Sequence, residues 1–125
     1  MEKVNIVFIR YDKKREQTMK KLTSRLLLSL QEAIRVRHYS YRTEQTYLSW
    51  AKRFILFHNK QHPRKMGGKE VQQFLNHLAL EREVSAATQN QALNALVFMY
   101  RHVINQPLGK LDGLIYAKRR VNIPS

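Results

Sequence analysis

The sequence predicts an all-α protein built as a small helical bundle. Four stretches carry apolar residues at the three- and four-residue spacing of a helix face. Serine, glycine and proline mark the breaks between these stretches. The one β-leaning run, VNIVFIRY, has no second strand nearby and cannot form a sheet alone. With 125 residues, 43% of them hydrophobic, the chain suits one domain with its own core.

The first predicted helix begins at Thr23 or Ser24 and ends at about Arg37. Leu27, Leu30, Ile34 and Arg37 fall on one stripe of this helix, with Leu26 and Ala33 beside it. Residues 1–21 form a basic N-terminal arm, in which VNIVFIRY precedes the charged run DKKREQTMKK. We expect this arm to be mobile or to add a short helical extension.

The second predicted helix runs from Tyr41 to about Lys60. Ser40 precedes it as an N-cap, because a serine hydroxyl accepts a hydrogen bond from the first turn. The helix must end before His62-Pro63, since a residue preceding proline disfavours helical dihedrals. Its apolar stripe consists of Tyr47, Ala51, Phe54, Ile55 and His58.

Two further helices follow, at about Lys69–Glu83 and Ala86–Ile104. Their predicted buried stripes are Val71, Phe74, Leu75 and Leu78 in the third helix, and Ala92, Leu96, Met99 and Val103 in the fourth. Residues 22–110 are therefore the predicted compact unit. Residues 111–125 lack clear periodicity and are predicted to be a linker.

Charge is the most unusual feature of the composition. Lys and Arg number 23 against 9 Asp and Glu, a formal net charge of +14. A polyanion relieves such self-repulsion, so nucleic acid is the first candidate partner and an anionic membrane surface the second. Without cysteine the chain forms no disulfide or thiolate metal site. No apolar run is long enough to span a bilayer or resembles a secretory signal, which predicts a cytoplasmic protein. With nucleic acid favoured, no membrane partner is expected.

Two helices begin with the same S-x-x-T spacing, at Ser40–Thr43 and at Ser85–Thr88. Arg42 follows the first cap, and the amides Gln89 and Asn90 follow the second. Such groups at a helix N-terminus suit phosphates and base edges. If the two starts lie side by side, they form one anion-binding face. The alternative is that both motifs are ordinary capping.

Catalytic chemistry is not indicated by the residues. His58 and His62 have a metal-binding spacing but no third ligand. The carboxylates are scattered, and no phosphate-binding glycine loop or nucleophile with its base is present. We therefore predict a binding module with no cofactor, metal or small-molecule substrate.

The segment HYSYRTEQTYLSWAKRFILFH, the following HP, and KEVQQFLNHLALEREVSAATQNQALNALVFMYRHVI resemble the N-terminal core-binding domain of tyrosine site-specific recombinases. The similarity is greatest to integron integrases and extends from about Leu26 to Pro124. The resemblance implies a four- to five-helix, SAM-like bundle that grips one side of a DNA duplex. It also implies that the second and fourth helix starts approach the DNA.

The resemblance also implies which residues contact DNA. The implied DNA contacts are Arg42, Thr43 and Thr46 on the second helix, Thr88, Gln89 and Asn90 on the fourth, and Lys118, Arg119 and Arg120 in a basic interdomain linker. The family's catalytic Arg, Lys, His-x-x-Arg and nucleophilic Tyr lie downstream of that linker, and no His-x-x-Arg occurs here. This chain by itself is therefore not expected to be an enzyme.

The resemblance also implies bacterial DNA as the partner, nucleoid association when bound, and self-association with other recombinase protomers. Two alternatives stay open. A helix-turn-helix regulator would bind as a symmetric dimer on half-sites one helical turn apart. A helical protein-interaction module would use its charge only for solubility and would ignore DNA at moderate salt.

Overall fold

Four α-helices pack around one apolar core within residues 13–117, the part of the chain that the structure, a computed structural model, describes. In chain order they are α1 (Lys13–Val36), α2 (Tyr41–Phe57), α3 (Gly68–Leu80) and α4 (Ala86–Met99). A 3-10 turn at Pro63–Lys65 precedes α3, and a π-helical turn at Tyr100–Ile104 prolongs α4. No strand occurs across this range. The predicted all-α class is confirmed.

Helix α1 begins earlier than predicted. Residues 13–21, assigned to the arm, are helical. Lys, Arg, Glu, Gln and Met favour helices, but this run lacks an apolar stripe, so periodicity alone missed it. The rest of the predicted arm, including VNIVFIRY, lies outside the described residues.

The buried face of α1 lies on the Leu26 side of the predicted stripe. It is formed by Leu26, Leu30 and Ile34, while Leu27 is half-buried. Arg37 lies just beyond the helix and is exposed rather than part of the stripe. Its Nη2 donates to His102 Nδ1 at 2.8 Å, and its guanidinium lies 5.5 Å from the centre of the Phe98 ring.

Two predicted helix ends were too late by three residues. Helix α2 ends at Phe57 rather than Lys60, because Asn59 and Lys60 have φ values of 59° and 63°. This left-handed conformation cannot continue a right-handed helix. Helix α3 ends at Leu80 rather than Glu83, where φ is 49°.

The core centres on aromatic contacts among α2, α3 and the π-helical turn. Phe54 of α2 lies edge-on to Phe74 and to Tyr100, at centroid distances of 5.7 and 6.4 Å. The Tyr100 hydroxyl donates to the carbonyl of Pro63 at 2.7 Å. This hydrogen bond satisfies the polar end of a buried ring and fixes the loop between α2 and α3.

Helix α4 continues without a break into the π-helical turn. Ala92, Leu96 and Met99 are buried as predicted, and Val103 is half-buried. The predicted end at Ile104 is confirmed. Asn105 follows in the left-handed conformation, with φ of 62°, and closes the turn.

Residues 111–117, called the strap below, pack back onto the bundle. These residues were predicted to belong to a linker over 111–125. Leu111 and Leu114 contact the core, and Ala117 is 9% exposed. The packed unit therefore extends past the predicted boundary at residue 110. The strap is irregular rather than helical, which explains its lack of periodicity.

Candidate nucleic-acid interface

Helices α2 and α4 begin with the same cap geometry. Ser40 Oγ accepts from the Thr43 N–H at 3.1 Å and donates to Thr43 Oγ1 at 3.0 Å. Ser85 makes the equivalent bonds to Thr88 at 3.1 and 3.0 Å. Each cap satisfies the third N–H of its helix, and the first two N–H groups lack a helical acceptor. Both starts therefore retain donors that suit an anion.

The exposed start of α2 carries the first group of predicted site residues. Arg42 is exposed and makes no ion pair with any residue in the described range. Thr46 lies one turn along the same face, four residues from Arg42, and is half-buried. Thr43 is half-buried beside its cap. The three side chains thus lie together on the first turns of α2.

A buried carboxylate fixes this start to α1. Glu44 is 3% exposed and accepts hydrogen bonds from Arg35 Nε at 2.8 Å, Arg35 Nη2 at 3.2 Å and Gln31 Nε2 at 3.1 Å. The Arg35 hydrogen bonds, followed by that from Gln31, hold the pKa of Glu44 below its ordinary value. The negative charge is therefore neutralised internally and does not oppose an anion at α2.

The start of α4 carries the second group, and its members differ in exposure. Asn90 is exposed and Thr88 is half-buried. Gln89 is 4% exposed, and its side-chain amide bonds to backbone groups inside the protein. The structure thus contradicts the prediction that Gln89 faces a ligand. A polar side chain on a helix start was mistaken for a surface group.

Helices α2 and α4 pack through an aromatic cluster. The Phe98 ring lies 5.6 Å from that of Tyr39 and 5.5 Å from that of Tyr47, measured between centroids. Ser85 lies roughly 20 Å along α4 from Phe98 at 1.5 Å per residue, whereas Ser40 lies only about 10 Å along α2 from Tyr47. The two caps therefore cannot share one ion, as a single anion-binding face would require.

Other polar residues singled out in the sequence serve the fold. Tyr100 is buried, which raises the pKa of its hydroxyl, and Tyr47 is half-buried on its predicted stripe. His58 Nε2 donates to the Glu70 carbonyl at 2.8 Å, and His62 Nδ1 accepts from the backbone N–H two residues on at 3.1 Å. Among the described residues, no three potential metal ligands cluster.

Lys118, Arg119 and Arg120 lie outside the described residues, directly after the strap. The sequence interpretation did not identify the three residues that hold the strap. Gln72, Asn76 and Gln89 bind the strap backbone through their amides. The i, i+4 spacing of Gln72 and Asn76, which places both amides on one face of α3, was the available signal.

The fold and these surfaces define a basic, all-α domain with two capped helix starts. No helix within residues 13–117 has the length and apolar character needed to cross a membrane. The family model for the phage integrase N-terminal SAM-like domain matches residues 26–110. The chain therefore belongs to that family.

Two bacterial proteins show the same relationship in their sequences. Proteins named integrase/recombinase from Escherichia coli and Pseudomonas aeruginosa are each 50% identical to this chain over 80 residues. The aligned segment covers 64% of this chain and 24% of each relative. The chain thus corresponds to about a quarter of the length of these relatives.

Proposed function

We propose that this chain is the DNA-binding domain of a tyrosine recombinase and contacts the duplex at a recombination site. The observation that carries the proposal is the repeated Ser-Thr cap at the starts of α2 and α4, in a family member with a net charge of +14. Backbone N–H groups at helix starts are natural phosphate ligands. Two such starts on one rigid bundle would fix its position on DNA.

The proposed contacts differ in kind. The Arg42 guanidinium and the hydroxyls of Thr43, Thr46 and Thr88 suit phosphate oxygens, whereas the exposed Asn90 amide can pair with an adenine edge. Lys118, Arg119 and Arg120 would add phosphate contacts in the chain that follows the strap. Gln89 is excluded from this set by its burial.

The complete protein would do more than bind DNA. We propose that it belongs to an integron-type integrase, which cuts and rejoins DNA through a phosphotyrosine intermediate on a separate catalytic domain. This part of the proposal depends on the sequence resemblance to integron integrases. DNA in the bacterial cytoplasm would be the partner, and neighbouring protomers would associate on the site.

A pair of charge reversals tests the proposed interface. Arg42→Glu and Lys52→Glu make the same charge change on exposed residues of α2, about 15 Å apart along the helix. Electrophoretic mobility shifts on an integron attachment-site duplex would measure both. We expect Arg42→Glu to weaken binding at least tenfold more than Lys52→Glu. Equal losses would show that only total charge matters and would contradict the proposed contact at α2.

The choice of DNA tests the integron assignment separately. The wild-type chain would be compared on attachment-site and shuffled duplexes of equal length and base composition. A preference for the attachment site supports the integron assignment. Equal affinity for both would contradict site recognition by this domain while leaving its DNA binding intact.

A further inference from the structure

Helix α3 holds the strap through two side-chain amides. Gln72 Oε1 accepts from the Gly113 N–H at 2.9 Å. Asn76 Nδ2 donates to the Gly113 carbonyl at 3.1 Å, and Asn76 Oδ1 accepts from the Ile115 N–H at 2.7 Å. The spacing of four residues places both amides on one face of α3. This face therefore binds main chain rather than side chains.

Helix α4 continues the same pattern through a single buried residue. Gln89 Nε2 donates to the Ile115 carbonyl at 2.7 Å, and Gln89 Oε1 accepts from the Ala117 N–H at 2.8 Å. Gln89 Nε2 also donates to the Leu75 carbonyl on α3 at 3.2 Å. One side chain thus joins α3, α4 and the strap.

The three amides contact the strap at every second residue, as a neighbouring strand would. The side chains of Ile115 and Tyr116 contribute little, since they are 43% and 76% exposed, whereas Leu114 packs against the core and Ala117 is buried. A Cβ atom at Gly113 would overlap the Gln72 amide, so a larger residue there would displace that side chain. The amide contacts therefore fix the strap backbone in addition to the packing of its apolar side chains.

We propose that Gln72, Asn76 and Gln89 form a backbone clamp that sets the direction in which the chain leaves the bundle, and that Gln89 couples this clamp to the start of α4. Gln89 lies between Thr88 and Asn90, which belong to the proposed DNA interface. Asn90 and Tyr116 also line one cleft of about 270 Å³. The coupling, but not the clamp, rests on the proposed function.

The coupling has a thermodynamic consequence. If DNA at α4 favours the clamped strap, the clamped strap must favour DNA binding by the same factor. Gln89 is then a positioning residue, because it touches no DNA and acts through the backbone that it orients. It would fix the position of Ala117 relative to the α4 contact.

Amide hydrogen exchange measured by NMR on the free chain tests the clamp. Gln89→Leu removes the acceptor for the Ala117 N–H, and we expect about tenfold faster exchange there, the effect of losing one hydrogen bond. Amides within α2 should keep their protection. Gln73→Leu, on an exposed glutamine of α3, is the matched control. It should change exchange neither at Ala117 nor within α2.

A second variant protects the test against misfolding. Asn76 is half-buried and its side-chain hydrogen bonds go to the strap, so Asn76→Ala should release Ile115 while the helices remain folded. Unchanged exchange at Ile115 and Ala117 in both variants would overturn the clamp. Rapid exchange of both amides in the wild-type chain would overturn it equally.

Adding duplex DNA tests the coupling. We expect DNA to slow exchange at Ala117 in the wild-type chain, and Gln89→Leu to weaken DNA binding by three- to tenfold while Gln73→Leu leaves it unchanged. DNA binding without extra protection of Ala117, and without an effect of Gln89→Leu, would overturn the coupling. Absence of any DNA binding would overturn the coupling and the proposed function together, while the free-chain exchange would still decide the clamp.

Discussion

Glu44 Oε1 lies 2.8 Å from Arg35 Nε, and this ion pair joins the end of α1 to the first turn of α2. The two partners differ sharply in environment, since the Glu44 side chain is 4% exposed and that of Arg35 is 62% exposed. A charge held inside the protein depends on its partner far more than a charge in water does. The orientation of the proposed DNA-facing helix start therefore depends on a residue of α1.

Removing the cation tests this dependence. We expect Arg35→Met to lower the midpoint of thermal unfolding by several degrees, because Glu44 would remain buried without its charged donors. Arg25→Met, at an exposed arginine of the same helix, is the control and should have a much smaller effect. Equal midpoints for the two variants would contradict a structural role for the pair.

The same pair predicts a dependence of stability on acid pH. Because the folded-state pKa of Glu44 is lowered, the folded chain binds this proton less readily than the unfolded chain. The stabilisation is present above the ordinary pKa of glutamate, about 4.3, and is lost as the pH falls through the folded value. Urea unfolding between pH 6 and pH 3 should therefore show a steeper loss in the wild-type chain than in Arg35→Met. Parallel curves would count against this assignment.

Two histidines predict a second loss of stability at milder pH. His62 Nδ1 accepts from the Arg64 N–H, and His102 Nδ1 accepts from Arg37 Nη2. Burial, followed by a neighbouring arginine in each case, lowers both pKa values. The folded chain thus favours the neutral rings, so stability should fall as the pH drops below about 6.5.

Asparagine variants isolate these two rings, because an amide oxygen accepts a hydrogen bond but does not titrate. We expect the double variant His62→Asn, His102→Asn to flatten the change in unfolding free energy between pH 7 and pH 5. His38→Asn is the control, since His38 is exposed and asparagine tolerates its φ of 59°. A wild-type pH profile in the double variant would refute this explanation.

The buried hydroxyl of Tyr100 predicts a stability effect of defined size. Tyr100→Phe keeps the ring but leaves the Pro63 carbonyl without its donor. We expect a loss of about 1–2 kcal/mol in the free energy of unfolding. Tyr116→Phe, on a side chain that is 76% exposed, should be neutral. Urea denaturation of both variants measures the difference, and an unchanged Tyr100→Phe protein would contradict this role.

Sequence periodicity predicted the fold well where a helix buries one face. The stripes of α2 and α3 and the end of α4 at Ile104 depend on apolar spacing that a sequence displays directly. The first turns of α1 show no such spacing, because a charged helix that leaves the core has no apolar stripe. The early ends of α2 and α3 depend on left-handed residues such as Asn59 and Glu83, whose conformation no spacing reveals.

The candidate site was harder to predict because it depends on which polar side chains are exposed in the folded chain. Ser40 and Ser85 were identified correctly, since capping is a local interaction. Gln89 was assigned to the surface because its partners, Leu75 and the strap, are distant in sequence. The strap itself was predicted to be a linker, because the amides that hold it lie far away in the sequence, on α3 and α4.

Base and phosphate contacts predict different binding phenotypes. Arg42→Ala should weaken binding to all duplexes about equally and reduce the salt slope by about 1, as loss of a phosphate contact does. Asn90→Ala should instead reduce the preference among duplexes that differ at one base pair. Fluorescence anisotropy on a panel of single-position variants would measure both. A uniform loss with Asn90→Ala would move this residue to the phosphate class.

The salt dependence of DNA binding tests the central claim most directly. Anisotropy isotherms of the wild-type chain on a labelled duplex would be recorded across a range of salt concentrations. If the chain meets about five phosphates, the logarithm of the affinity should fall by about 4–5 for each tenfold rise in salt. Negligible binding at low salt, with no dependence on ionic strength, would contradict the claim and leave a helical protein-interaction module as the better account.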